Sequence, residues 1–591
     1  MQAAVDEANK DAPKHSTILP QMIYILPLEE QLPVTEKGTV MRGRVIEQFG
    51  SIIDAMYNNF LNGHTASTIT TASSQEKVTT AVTTEWSLQE IENLLTKIAC
   101  DILQKDPSIF SDQDSKNRSL FDYGFDSILA IQLRNRIGQL SDTTLPANFL
   151  YEYPTVTSMA TALVATLTPN DSKRPKDSYQ VTQELLMNYL DRADKDFDHV
   201  VHNNERLKSD KQVVLLTGAT GSLGVYILKD LLLSPQVSKV YCPVRGPSGT
   251  LTNDQQVLMA RVKQAFIERH LDTTLLDEGG SKVQVLPMDM DNSEHLGWGK
   301  DTYDRLRNEV TIVQACAWLV DFNQPVTHFD KSCIQGLYNL LHFAYRRTNP
   351  IHVHMISSVS ATAGVGAPSN VPESVLMPAN PHTALPNGYA QSKYIVEHLF
   401  EFLWRDKGWP CMIERMGQVC GDNQNAMWNP SEMYPLMMIG GGDFLGKMPE
   451  FPNRTIDWLP VDYAATAIVD IMLKTSTFQV HQEHVFHIVN PSTMPWSELL
   501  CNMRACGMQF DIVSPEEWVS LLSKHQNNPA YRLVSFMEAT MKSSSPLSNM
   551  QTRETKNSVN LTSALNEAST FDVDFMRKHL DYWKSSGYYK P

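Results

Sequence analysis

Cysteine is sparse. Eight residues (Cys100, Cys242, Cys316, Cys333, Cys411, Cys420, Cys501 and Cys506) are scattered over 591 positions without a CxxC pair. That argues against a thiol-ligated zinc site or a dithiol redox centre, and His352 and His354 have no further ligand at suitable spacing, so no metal is expected. Long apolar runs are missing too: nothing reaches the roughly 18 residues of a membrane span. The N-terminal MQAAVDEANKDAPKHS lacks the apolar core of a signal peptide, so a cytoplasmic chain with no membrane partner is expected. Basic charge is in deficit, with 50 Lys and Arg against 66 Asp and Glu and a formal net charge of -16. A nucleic-acid partner is therefore not expected, because its phosphates call for a basic face. No internal repeat is present.

What is there reads as several domains, since the chain is longer than one hydrophobic core ordinarily supports. Residues 63–85, GHTASTITTASSQEKVTTAVTTE, are rich in Ser, Thr and Ala without apolar periodicity and read as a flexible linker between a piece at 1–62 and a small domain at 86–168. The small domain has helical periodicity in SLQEIENLLTKIACDIL and again from Ile128, which predicts a compact four-helix bundle. A polar stretch and a helix, 169–205, lead to a large domain at 206–591. There, apolar strands such as VVLL, KVYCPV, KVQVLPMD, VTIVQAC and IHVHMISS alternate with helical stretches, predicting an α/β Rossmann-type, doubly wound parallel sheet.

Four local patterns carry chemistry. In TGATGSLG, Gly218, Gly221 and Gly224 sit between a strand and a helix, where backbone amides and the helix dipole hold a pyrophosphate; Thr220 and Leu223 belong to the same loop. The end of the second strand offers Arg245 instead of the acidic residue that bonds an NAD ribose, which points to the 2'-phosphate of NADPH. Asp289, ending VQVLPMD, is a candidate for the adenine. In GYAQSK, Tyr389 and Lys393 lie four apart and share one helix face, so that an ammonium can lower the phenol pKa and hold the cofactor ribose while the tyrosine gives a proton to a developing alkoxide. A strand-end hydroxyl is the third member, and among Ser357, Ser358 and Ser360 we favour Ser358. The fourth pattern is FDYGFDSILAIQL, where Ser127 opens an amphipathic helix; a plain N-cap serine and a chemical handle both fit these residues.

Glycine loop, strand-end serine and YxxxK in this order resemble the extended short-chain dehydrogenase/reductases. More closely, VRG at Val244, AWLVDFNQPVTHFDKSCIQGLYNLL, RMGQVCGD and IDWLPVDYAATAI resemble the thioester reductase domains of adenylate-forming reductases, the NRPS-like carboxylic acid reductases, in particular their fungal branch. The stretch around Ser127 resembles the attachment motif of acyl and peptidyl carrier proteins, and LPLEEQLPVTEKGTVMRGRVIEQF the end of an adenylation domain, with Lys37 at the position of its acyl-contacting lysine. The resemblance implies 4'-phosphopantetheine on Ser127, attached by a phosphopantetheinyl transferase. It also implies NADPH at Gly218, Gly221, Gly224 and Arg245, catalysis by Ser358, Tyr389 and Lys393, and a smaller C-terminal substrate subdomain. The activity implied is NADPH-dependent release of a carrier-bound acyl thioester as an aldehyde or alcohol, in secondary metabolism. The main body of an adenylation domain is not in this sequence, which fits either a fragment or shortened gene model or a split system with a separate adenylation domain, and Lys37 is expected to be idle. A catalytically silent carrier module and the α-aminoadipate reductases of lysine synthesis are the rival readings.

Overall fold

The computed structural model describes residues 87–103, 105–125, 127–141, 145, 149–167, 177–202, 211–246, 251–278, 282–290, 294–322, 324–452, 454–476, 483–525, 528–534, 537 and 551–589, with isolated positions before residue 87. The linker at 63–85 and Lys37 lie outside the described residues. The chain divides into two compact units, Met1–Pro175 and Lys176–Pro591. Among the described residues no helix is long and apolar enough to cross a membrane.

In the first unit, α1 (Leu88–Leu103), α2 (Ser127–Ser141) and α3 (Val156–Leu167) enclose one core with a short helix at Phe149–Glu152. Helix α1 starts at a capping box: Glu90 Oε2 accepts from the Ser87 amide at 2.8 Å and from the Ser87 hydroxyl at 2.7 Å, satisfying a donor that the helix leaves open. Its buried Ile91, Leu95 and Ile98 recur at helical spacing and meet Leu133 and Ile137 of α2 and Met159 and Leu163 of α3. The entry to α2 is built by a 3-10 turn, Leu120–Tyr123, capped by Ser119 and closed by Gly124 at φ 107, a conformation that favours glycine. Tyr123, where many carriers have leucine, packs its ring 4.6 Å from that of Phe110 and donates its hydroxyl to the Ser115 carbonyl at 3.0 Å.

In the second unit, strands and helices alternate: β1 (Gln212–Thr217), α5 (Gly224–Leu233), β2 (Val237–Val244), α6 (Gln255–Ile267), β3 (Val283–Pro287), α7 (Lys300–Glu309), β4 (Ile312–Ala315), α8 (Gln335–Ala344), β5 (His352–Ser358), α9 (Gly388–Lys407), β6 (Cys411–Met416), α10 (Val461–Thr475) and β7 (Val485–Ile488). All seven strands are parallel in the order β7-β6-β5-β4-β1-β2-β3. Helices cover both faces, so the strands are buried almost throughout, including polar side chains such as Gln314, His354, Glu414 and Arg415. The order reverses between β1 and β4, and a crevice at their carboxyl ends is where such sheets take ligands.

The helix within the connecting segment 169–205, Ser178–Asp196 (α4), belongs with this second unit. Its Leu186, Tyr189 and Ala193 share a core with Tyr394, Leu399 and Leu403 of α9. Polar residues precede it, and the apolar stripe alone does not reveal what it packs against. A third core, built on Trp428, Trp458, Trp496, Trp518 and Trp583, forms the smaller C-terminal subdomain with helices Trp496–Ala505, Pro515–Leu522 and Val573–Ser585.

Candidate active site

The glycine turn leaves β1 through Thr217, whose Oγ1 accepts from the backbone amides of Cys316 and Ala317, each at 3.1 Å. This ties the loop to the end of β4. Gly218 has φ +75, and a Cβ there would lie 2.9 Å from the Ala317 nitrogen. A Cβ on Gly224 would lie 2.1 Å from the Gly218 carbonyl oxygen. The turn is therefore pressed so tightly on itself and on β4 that only glycine fits at these two positions. Gly221 and Ser222 are exposed and Thr220 and Leu223 half-buried, so the outer rim of the turn just ahead of the buried start of α5 is open, as a pyrophosphate cradle requires.

Arg245 follows β2 directly; it is exposed and has no ion-pair partner among the described residues. Its carbonyl and that of Gly246 accept from the Arg261 guanidinium of α6, the latter at 2.8 Å. Asp289 lies two residues beyond β3, half-buried. Both sit past the carboxyl ends of strands on the β1-β2-β3 side of the sheet, the side on which a dinucleotide's adenosine half would lie. The donor set fits a dinucleotide: a glycine cradle, a free cation beyond β2 and a carboxylate beyond β3.

The other half of the crevice is lined by β5 and α9. Ser358 ends β5, and its Oγ accepts from the Ser360 amide at 3.2 Å and from the Ser360 hydroxyl at 2.9 Å. The Ser358 hydroxyl also acts on the phenol of Tyr389, lowering its pKa against the effect of burial. Ser357 points into the other side: it is fully buried and donates to Glu397 Oε1 at 2.5 Å. Alternation along a strand separates the two neighbours. Helix α9 opens at Asn387, whose side chain accepts from the Ala390 amide at 2.9 Å, and one turn later Lys393 is buried at 2% exposure. Its Nζ donates to the Ile356 carbonyl at 2.6 Å and lies 3.7 Å from the centre of the Trp318 ring.

The electrostatics differ from what the i, i+4 spacing predicts. Burial, not a neighbouring ammonium, dominates Tyr389 and pushes its phenol up to about 12, with the Ser358 hydrogen bond as the opposing influence. Burial pulls Lys393 down to about 7, against the opposing effects of Cys333, Cys316 and Glu397. The Lys393 ammonium is 5.9 Å from the Tyr389 ring centre and engaged elsewhere, so it does not drive the phenol toward ionisation.

Several residues of this site went unnoticed in the sequence. Thr217 and Trp318 are brought in by β1 and by the segment after β4. Glu397 stands four residues beyond Lys393, repeating the spacing of the motif, and grips Arg415 of β6 through Nε at 3.0 Å and Nη2 at 2.8 Å, both buried. Ser127 begins α2, while its side chain and Asp126 lie outside the described residues. Among the described residues there is no group of three or more His, Cys, Asp or Glu able to hold a metal ion.

Residues 216–468 match the male sterility protein family, residues 93–163 the phosphopantetheine attachment site, and residues 1–61 the AMP-binding enzyme C-terminal domain. The chain is 28% identical over 551 residues to adenylate-forming reductase Nps9 of Serpula lacrymans, covering 88% of this chain and 47% of that protein. It is 27% identical to Nps11 of the same fungus, covering 99% and 54%, and 25% identical to a carboxylic acid reductase of Neurospora crassa, covering 90% and 49%. The chain thus spans about half the length of these relatives. Among solved structures, the fold is similar to the terminal R domain from the myxalamid PKS-NRPS pathway, with TM-score 0.59 and 22% identity over 69% of this chain and 99% of that one. It is also similar to an archaeal thiolation-reductase di-domain, with TM-score 0.57 and 19% identity over 86% and 100%.

Proposed function

We propose, for a chain that carries in order the tail, carrier and reductase segments of the fungal adenylate-forming reductases, that it releases an acyl group by NADPH-dependent reduction of a thioester. The acyl group is held on 4'-phosphopantetheine at Ser127 of the carrier domain, 86–168, and reduced in the domain that contains the parallel sheet. What supports this reading is that β1 with its glycine turn and β5 with Ser358 flank β4, the turn packing on Ala317 after β4 and Lys393 bonding to Ile356 of β5. Its partners are a phosphopantetheinyl transferase and the adenylation domain whose C-terminal part residues 1–61 match.

Gly218, Thr220, Gly221, Leu223 and Gly224 would hold the pyrophosphate, Arg245 the 2'-phosphate, Asp289 the adenine and Lys393 the ribose. NADPH, when bound, supplies the hydride. Tyr389 stays protonated at neutral pH, because burial holds its phenol near 12, and so it is a donor to the substrate's carbonyl oxygen rather than a base. Ser358 Oγ already accepts from Ser360, so its own proton, which bears on the Tyr389 phenol, can turn toward the same oxygen when substrate binds. Two donors converge where charge develops. An acyl group tethered close to this site reacts at an effective concentration that reaches about millimolar for short flexible linkers.

Holo-protein loaded from an acyl-coenzyme A by a phosphopantetheinyl transferase is expected to oxidise NADPH and release aldehyde, or alcohol after a second reduction. Tyr389→Phe is expected to slow release about 100-fold or more, and Ser127→Ala to abolish loading and release together. An acyl thioester that survives NADPH in folded, loaded protein overturns the proposal.

A further inference from the structure

Lys393 presents an unusual problem in charge burial. It is 2% exposed, yet it forms no ion pair among the described residues. The nearest acidic residue on its own helix, Glu397, is committed to Arg415 at 2.8 Å and to Ser357 at 2.5 Å. An ammonium has three donors. One is used on the Ile356 carbonyl at 2.6 Å, and the chief remaining neighbour is the face of Trp318, whose ring centre lies 3.7 Å from Nζ. That indole is held in turn by the catalytic helix: its Nε1 donates to Ser392 Oγ at 3.3 Å, and Ser392 Oγ donates to the Tyr389 carbonyl at 2.7 Å. Two residues of the GYAQSK turn thus secure one tryptophan from the segment after β4.

We propose that Trp318 is a positioning residue whose indole face holds Lys393 in place and in its charged form. The proposal rests on the reading of Lys393 as the residue that grips the cofactor ribose, and it goes beyond that reading in naming what keeps a buried ammonium there without a carboxylate. The aromatic quadrupole attracts the cation and costs the site no competing negative charge near the phosphates of an anionic cofactor. The groups facing Nζ are Tyr389 and Glu397 on α9, Cys316 after β4 and Cys333 in the turn Asp330–Ile334. None of them pairs with it. Because Lys393 titrates near 7, losing the ring face shifts the balance toward the neutral amine in the physiological range.

The test uses the full chain, free of cofactor, with lysine labelled at the ε carbon and the Lys393 resonance assigned by its loss in Lys393→Arg. Trp318→Leu, which keeps apolar bulk without a π face, is expected to lower the Lys393 titration midpoint by roughly one unit, a tenfold change in the charged-to-neutral ratio. Trp318→Phe is expected to shift it less and carries the test if the leucine variant does not fold. NADPH binding, followed by cofactor fluorescence, should weaken more at pH 8 than at pH 6 in the variants, since the remaining ammonium is lost first at the higher pH. An unchanged midpoint in a folded variant overturns the proposal, as does weakening that is equal at both pH values. A shifted midpoint in a chain that binds no NADPH even as wild type would leave the Trp318 contact standing and overturn the functional reading instead.

Discussion

Replacing Glu397 by glutamine should cost more stability than any exposed substitution, and the structure gives the size. Glu397 and Arg415 are 2% and 0% exposed, and the carboxylate takes contacts from Arg415 Nε at 3.0 and 3.1 Å, from Nη2 at 2.8 Å and from the Ser357 hydroxyl at 2.5 Å. Glutamine keeps the shape but presents an NH2 to a guanidinium, leaving Arg415 charged in the core with the Pro372 carbonyl and His487 Nε2 as its other neighbours. Breaking a buried pair in this way costs about 3–5 kcal/mol. For a unit of about 400 residues, unfolding entropy near 2 cal/mol/K per residue converts that to a fall in Tm of roughly 4–6 °C. Scanning calorimetry of the cofactor-free chain reads the transition of the second unit apart from that of the carrier. The double variant Glu397→Leu with Arg415→Met removes both charges and should be less destabilised than the sum of its parts. A fall of under about 1 °C for Glu397→Gln, or strict additivity in the double variant, would refute the assignment of a dry, mutually dependent pair.

Gly224→Ala tests the cradle by sign: alanine at a helical glycine normally stabilises by about 0.5–1 kcal/mol, but here its Cβ would stand 2.1 Å from the Gly218 oxygen, so both Tm and NADPH affinity should fall, as read by melting and fluorescence titration. Arg245→Ala should leave Tm unchanged, because the side chain is exposed, yet weaken NADPH by about 10- to 100-fold while sparing NADH; equal loss for both cofactors would remove Arg245 from the 2'-phosphate. Lys393 also makes stability depend on pH. Its folded pKa of about 7 lies below the ordinary 10.5, so between those values the unfolded chain holds the proton and the folded chain does not, and this residue's contribution rises with pH across that window. Wild type should therefore gain on Lys393→Met between pH 7.5 and 9.5 in chemical denaturation, and parallel curves would contradict the burial of the ammonium.

What could be seen in the sequence was mostly local. The glycine turn, the strand-end serines and the Tyr389 and Lys393 pair each lie within a few residues, and the alternation of apolar runs predicts the parallel sheet that is present. Period-two alternation even separates Ser357 from Ser358, since neighbours on a strand face opposite ways. The residues that went unseen are those brought in by crossovers. Trp318 is far from Lys393 in sequence and reaches it only because β4 lies beside β5, and α4 gives no sign along its own length that it packs on α9. The charge state of the motif was the least legible feature, because spacing fixes adjacency while desolvation fixes protonation. With Lys393 near 7 and Tyr389 near 12, the lysine and not the tyrosine titrates first as pH rises. In the proposed reaction the pair would therefore act as a neutral proton donor beside a marginally charged anchor, and the proposed Trp318 contact would be where the pH range of the site is set.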